Sequence, residues 1–416
     1  MTIFATDMVN QATQAYIREH ADADVRQLAL RGTKDPEVDL AFALDQISGR
    51  QKARIKLPLW AAHDAIIYPP HLSMEQCSSE PTARYKRRVI GDGCWVMDDS
   101  QQVLVDLTGG FGVDFAYMAE GFERAVYVER QSSLCDIAVE NLKTLGLTQA
   151  EVVCADGTDY LHTLEHASLI YLDPARRDTH GARTYGMADC TPNVLELKDE
   201  LLAKADYVLL KLSPMLDWRK AVVDLGCVSE VHIVSVDNEC KELLLVVNCG
   251  NTAVNETGGL RVVCVNLLPD GREERFEFDA LSPSPITHHL TPTTQKYLFE
   301  PNASVMKAGC FQWVEHQFDV CQLETSSHLF VADADRPDFP GRRFIIEQIV
   351  SMNKRELKTV LADISCANIA VRNFPLSVAD LRKRLKLKDG GEVYIFATTV
   401  ADKGHRLFIC RKIVGF

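Results

Sequence analysis

Residues 103–130 read VLVDLTGGFGVDFAYMAEGFERAVYVER, and the fold is decided there. A short apolar run, 103–107, carries Asp106 and breaks into Thr108-Gly109-Gly110-Phe111-Gly112. A helical pattern follows over 113–120, Gly121 stops it, and a second apolar run, 125–128, ends in Glu129. Strand, glycine turn, helix and strand make the first βαβ unit of a nucleotide-binding sheet. The glycines let backbone pass close to a ligand where a Cβ would collide. Glu129, at the end of the second strand, is placed to accept from ribose hydroxyls. A dinucleotide fingerprint needs another small residue at position 115; Phe115 stands there, which disfavours NAD and FAD. A purely structural βα turn is the competing reading, and three glycines together with Glu129 weigh against it.

The 416 residues predict two to four domains, each able to bury its own core. With 46% hydrophobic and 25% charged residues the composition is ordinary for a soluble globular protein. No run of about 18 apolar residues occurs and the N-terminus lacks a basic-then-apolar pattern, so neither membrane nor secretion is expected. Thirteen cysteines fall without a CxxC pair, and Cys154, Cys249, Cys264 and Cys410 sit in strand-like apolar runs. That usage fits a reducing cytoplasm and argues against zinc or a disulfide framework. The net charge of −13 is uneven: residues 336–416 hold 16 Lys+Arg against 8 Asp+Glu, leaving an acidic body. Such a basic segment suits either a polyanion or a solvated face.

Residues 1–60 read as helices, with Thr6 or Asp7 capping the first and Asp24 the second, Gly32 ending the second, and Pro36 in the first turn of the third. After the prolines 58, 69 and 70, QCSSEPTARYK (76–86) reads as a capped helix start carrying Arg84, Lys86, Arg87 and Arg88. It is either an anion-touching lid or a plain cap. Beyond residue 130 the alternation continues: helix 134–145, strand 151–154 into Asp156-Gly157, strand 168–172 into Asp173-Pro174-Ala175-Arg176-Arg177-Asp178. A helix with Pro192 at its first position and a strand over 207–211 follow. A hairpin, 230–236 and 242–248, turning at Asn238-Glu239, is expected to close the sheet edge. A second hairpin (260–267, 275–278), a linker over 282–292, a small strand-containing unit at 314–323 and 328–331, and a linker at 337–341 lead to a βαβαββ module. In that module Ser377 and Asp380 resemble a capping box, and Gly390-Gly391 is expected to end the helix they open.

Four carboxylates thus stand at strand ends: Asp106, Glu129, Asp156 and Asp173. In a parallel sheet those ends lie along one edge, where open α/β folds bind ligands. Asp106 suits an amino-acid ammonium, Glu129 a ribose diol and Asp156 an adenine amino group, which together describe S-adenosylmethionine.

DLTGGFGVD (106–114), YVER (127–130), CADGTDYL (154–161) and YLDPARRD (171–178) resemble the four motifs of class I S-adenosylmethionine-dependent methyltransferases. The tail ANIAVRNFPLSVADLRKRLKLKDGGEVYIFATT and the segment QCSSEPTARYK resemble a bacterial subgroup with a ferredoxin-like domain followed by a THUMP-like domain. The resemblance implies an α/β, Rossmann-like class I methyltransferase sheet with an N-terminal helical cap and C-terminal α+β (ferredoxin-like, THUMP-like) modules. The implied divisions are 1–98, 99–280, 281–338 and 339–416. It implies that Asp106, Thr108, Gly109, Gly110, Gly112, Glu129, Arg130, Asp156, Gly157 and Asp173 hold S-adenosylmethionine. Asp173, Pro174 and Arg176 would serve the methyl acceptor. THUMP domains proper serve tRNA- and rRNA-modifying enzymes, so structured RNA is the implied substrate and partner, through the basic C-terminal module, with neither metal nor membrane. The family's base-amine methyltransferases carry an aromatic shortly after this Asp-Pro, and here Ala175-Arg176 follows. Tyr185 is the candidate stacking face in its place. Arg176 and Arg177 would clamp a phosphate or pair with Asp178. His288-His289 reads as incidental and Cys190 as an ordinary thiol. The alternatives are a methyltransferase of protein, DNA or a small molecule, and a non-catalytic RNA-binding protein with a relic pocket.

Overall fold

The computed structural model describes residues 9–92, 102–176, 186–249, 259–285, 295–400 and 404–413. It divides into two compact units, Met1–Ser229 with Leu244–Glu256, and Glu230–Leu243 with Thr257–Phe416. Thr6, Asp7, Arg177, Asp178, Tyr185 and His288-His289 lie outside the described residues. Among the described residues no helix is long and apolar enough to cross a membrane.

In the first unit, β1 (Val103–Asp106), β2 (Arg124–Glu129), β3 (Ala150–Cys154), β4 (Ala167–Leu172) and, after the two-residue pair β5 (Ala175–Arg176) and β6 (Cys190–Thr191), β7 (Ala205–Leu212) follow in sequence. They hydrogen-bond side by side in the order β3-β2-β1-β4-β7, each strand parallel to its neighbours. All six residues of β4 and the last three of β1 are buried. Burial on both faces explains why these strands read as unbroken apolar runs. The helices Val113–Ala119, Ser132–Thr144, Gly157–Thr163 and Val194–Lys204 connect them. Asn193 caps the last of these by accepting from the Leu195 N–H at 3.2 Å, so Pro192 precedes the cap and does not open the helix.

The N-terminal helices Gln11–Glu19, Val25–Arg31 and Leu40–Lys56 are capped by Asn10, Asp24 and Asp39. Pro36 therefore lies ahead of the third helix, not inside it. Two buried amides fasten the following connector. Gln46 and Asn141 each exchange a pair of 2.8 Å hydrogen bonds with one backbone residue, Tyr68 and Ile67 respectively. Trp60 packs edge-on against Phe111 at 5.0 Å, so the helical region covers the glycine turn itself.

The hairpin of β8 (Val228–Val236) and β9 (Glu239–Asn248) turns at Asp237 and Asn238, whose φ of 47° and 61° are those of a primed turn. It does not close an edge. In the second unit β10 (Arg261–Leu267) runs parallel to β8, from Arg261 opposite Glu230 to Leu267 opposite Val236. β11 (Glu273–Asp279) then pairs antiparallel with β10. Six of β10's seven residues are buried, so it requires neighbours on both sides.

The rest of the second unit holds a seven-stranded sheet ordered β13-β14-β12-β15-β18-β17-β16. Its strands are β12 (Tyr297–Pro301), β13 (Cys321–Gln322), β14 (Phe330–Ala332), β15 (Gly341–Ser351), β16 (Asn368–Arg372), β17 (Val393–Val400) and β18 (Gly404–Lys412). Along β17, Ile395 and Ala397 face the helices Lys354–Val360 and Val378–Leu385, while Phe396 joins Leu298, Val331 and Phe344 on the other side. The period of two thus builds two cores from one strand. The strand-containing unit expected at 314–323 and 328–331 holds the short strands β13 and β14, and its first part, 314–318, belongs to the helix Phe311–Phe318, where Phe311, Val314 and Phe318 recur at helical spacing. The helix Val378–Leu385 ends at Lys386, in the left-handed region at φ 58°, before Gly390-Gly391 is reached.

Candidate active site

Asp106 ends β1 and is 1% exposed. Its Oδ1 accepts from the Thr108 N–H at 2.8 Å and the Thr108 hydroxyl at 3.2 Å. Burial pushes its carboxyl up to about 8. Gly109 has no room for a side chain, since a Cβ would lie 2.3 Å from the Tyr127 ring. Gly110 and Gly112 take φ of 55° and 83°, which L side chains adopt at a cost. Tyr127 closes the back of the turn by donating its hydroxyl to the Gly110 carbonyl. The open side is at Gly110, where a Cβ would meet only the Thr108 carbonyl, at 3.7 Å.

Strand register puts the carboxylates in a row. Asp106 is level with Tyr127 on β2 and Tyr171 on β4, so Glu129 and Asp173 each stand two residues further along. Glu129 is level with Cys154, and Asp156 lies two residues past it. Glu129 braces the turn: its Oε2 accepts from the Gly110 N–H at 3.0 Å and its Oε1 from the Gln131 N–H at 2.9 Å. Asp156 is exposed and caps the helix Gly157–Thr163 through the Thr158 N–H at 2.8 Å. Gly157 is required there, because a Cβ would lie 2.1 Å from the Leu107 carbonyl. Arg130 is exposed.

Asp173 joins this row through Thr108, whose hydroxyl accepts from the Asp173 N–H at 2.7 Å. Its carboxylate, with a side chain 39% exposed, accepts from Lys211 Nζ at 2.6 Å. Lys211 lies in β7 with its side chain 13% exposed, and its Nζ stands 3.5 Å from Asp114. Asp114 is buried in the first turn of the helix Val113–Ala119 and accepts from the Ser78 hydroxyl (2.7 Å) and the Tyr171 hydroxyl (2.8 Å). The Lys86 ammonium, 0% exposed, completes the cluster 3.1 Å from Asp114 Oδ1. Burial alone would raise the Asp114 carboxyl, but Lys86 and Lys211 together hold it well below the usual carboxylate range.

The structure therefore gathers Asp106, Thr108, Gly109, Gly110, Gly112, Glu129, Asp156, Gly157 and Asp173 along one sheet edge. Pro174 is buried behind Asp173, and Ala175 and Arg176 pair with Thr191 and Cys190. The Arg176 side chain lies outside what is described. Cys190 is buried, its thiol directed to the Gly186 carbonyl. Sequence reasoning missed Asp114 and Lys211, and it placed Lys86 on an anion-touching lid or a plain helix cap, where the structure buries it against Asp114. A signal was present in Val208-Leu209-Leu210-Lys211-Leu212, since a lysine inside an apolar strand needs a charged partner.

Family comparison matches residues 297–340 to a ferredoxin-like domain and residues 341–412 to the THUMP domain-like family. A crystal structure from Porphyromonas gingivalis W83, assigned as a methyltransferase, is 31% identical over 100% of both chains, with a TM-score of 0.84. TrmK of M. capricolum, in complex with S-adenosyl-homocysteine, is 12% identical over 40% of this chain and 67% of its own, at a TM-score of 0.30. An O-methyltransferase of Bacillus cereus is 12% identical over 56% of this chain and 99% of its own, at 0.33. Among curated proteins no sequence matches. The chain belongs to the methyltransferase family of that Porphyromonas gingivalis protein, with C-terminal ferredoxin-like and THUMP-like domains.

Proposed function

We propose that this protein transfers the methyl group of S-adenosylmethionine to a base of structured RNA, in tRNA or rRNA. The observation that carries the reading is the row of Asp106, Glu129, Asp156 and Asp173 at the ends of four adjacent parallel strands beside an open glycine turn. The residues suit the cofactor. A buried carboxyl pushed up to about 8 is matched by a ligand ammonium. Glu129 has lone pairs left for a ribose diol and Asp156 for an adenine amino group, each carboxylate offering about four acceptor sites. The cofactor supplies an activated methyl group, so the protein mainly contributes alignment and solvent exclusion. Asp173, half-exposed beside the row, accepts an N–H of the base and holds its nitrogen in line.

RNA is supported by the THUMP domain-like match and by charge in that module. Lys383, Arg384, Lys386 and Lys388 are exposed around the end of the helix Val378–Leu385, whereas Arg382 is tied to Asp389 at 2.6 Å. Cations at a helix C-terminus also favour the helix dipole, which is the plainer reason for them. The test is incubation with methyl-tritiated S-adenosylmethionine and RNA from cells lacking the gene, followed by nucleoside analysis. Label in one methylated nucleoside is the expected result. Label confined to protein or small molecules overturns the RNA substrate, and micromolar binding of NAD in calorimetry overturns the cofactor.

A further inference from the structure

We propose that Lys211 is a positioning residue that aims Asp173 at the methyl acceptor, and that the 76–86 segment supports it through Lys86 and Ser78. The inference rests on the methyl-transfer reading and assigns the role of two elements that reading leaves unused.

The geometry runs in one chain of contacts. Ser78 and Lys86 grip Asp114 at 2.7 and 3.1 Å, and Tyr171 adds a third contact at 2.8 Å. Asp114 lies 3.5 Å from the Lys211 ammonium, which lies 2.6 Å from Asp173 Oδ2. Asp173 is the exposed member: its side chain is 39% accessible, against 0%, 9% and 13% for Lys86, Asp114 and Lys211. A carboxylate that exposed turns freely about its side-chain bonds unless something fixed holds it. Lys211 is fixed, because its strand neighbours Leu210 and Leu212 are buried and Asp114 holds it from behind. Burying two lysines and an aspartate without a functional return is unfavourable, since a well-packed apolar set of equal volume is commonly as stable. The network is therefore read as a mount for the one carboxylate it presents to solvent. Segment 76–86 then acts on the acceptor side of the site, not as a lid over a phosphate.

The experiment uses the full chain, methyl-tritiated S-adenosylmethionine and an extract of cells lacking the gene, separated into RNA, protein and small-molecule fractions. Lys211→Met should slow labelling by about 10- to 100-fold, the loss expected when a reacting group is misplaced by about 1 Å. Calorimetric affinity for S-adenosylmethionine should stay within about twofold, because the ion pair it removes acts on the acceptor. Lys211→Arg should recover most of the rate. Lys211→Gln, which keeps a donor and loses the charge, should fall between and serves if Lys211→Met does not fold. The double variant Lys211→Met/Asp173→Asn should be no slower than the slower single variant, since the two residues act as one unit. Wild-type labelling by Lys211→Met, or single losses that multiply in the double variant, overturns the proposal. Label in protein in place of RNA sinks the RNA reading while the Lys211 comparison proceeds on that fraction. Label in no fraction overturns methyl transfer and this inference with it.

Discussion

In the first unit Lys86 and Asp114 are buried 3.1 Å apart, with the Lys211 ammonium 3.5 Å from Asp114. In the second unit Lys383, Arg384, Lys386 and Lys388 stand exposed around the end of one short helix. Charge withdrawn from water is costly and tolerates no misplacement, so the buried set specifies geometry. Charge left in water costs little, is screened by salt and acts at long range on polyanions. One region should therefore respond to single substitutions and the other to ionic strength.

The sharpest test of the buried region is Asp173→Ala, expected to lower turnover by about 100-fold or more with little loss of cofactor affinity. Rates measured at saturating S-adenosylmethionine check this, and equal losses in both quantities would make Asp173 a cofactor ligand. Glu129→Ala should weaken S-adenosylmethionine by about 1.5–3 kcal/mol, the range for hydrogen bonds to a charged group. Because Glu129 also holds the Gly110 and Gln131 N–H groups, Glu129→Gln is the companion variant that separates ligand contact from turn support. Unchanged titration of the folded alanine variant would remove Glu129 from the site.

Asp106 gives the comparison a pH dependence. Its folded carboxyl is raised from 3.8 to about 8, chiefly by burial, so in the free protein it is protonated at neutral pH. The ligand ammonium needs the ionised form, so affinity should fall about tenfold per pH unit below about 8. Calorimetry in buffers of different ionisation heat should show proton release on binding at pH 7. The same shift has a stability sign: this group's stabilising contribution is complete below about 4 and is lost as pH rises through about 8. Thermal melts of Asp106→Asn lacking that slope would support the assignment, and binding independent of pH would refute it.

The exposed region should yield the smallest effect per residue. Replacing Lys383, Arg384, Lys386 and Lys388 with glutamine should weaken RNA binding and flatten its salt dependence, by about 0.7 in log–log slope for each single-strand phosphate that is no longer neutralised. An unaltered slope in filter binding would leave these residues to the helix dipole. Charge substitution is preferred to truncation at Asp335, which would strip Phe344, Phe396 and Phe408 from a core they share with Leu298 and Val331.

Much of the site was legible because its parts are local. A glycine turn, a strand-end carboxylate and a helix cap each need only a few consecutive residues, as at 106–112 and 156–158. The edge of the hairpin at 230–248 was misread for the opposite reason: whether β8 is an edge depends on β10, about 30 residues further on. The helix Phe311–Phe318 beside the strands of the 314–331 unit went unread because short apolar runs do not separate helix from strand by composition.

The sequence alone determined the βαβ start, the carboxylate at each strand end, the conflict at Phe115 with a dinucleotide fingerprint, and the βαβαββ order of the C-terminal module. Only the tertiary structure decided which charges meet. Lys86, Asp114, Tyr171, Asp173 and Lys211 come from two strand ends and two helices separated by up to 125 positions, and no spacing rule links them. Their pairing follows from parallel strands delivering their ends to one edge and from the cost of leaving any buried charge alone.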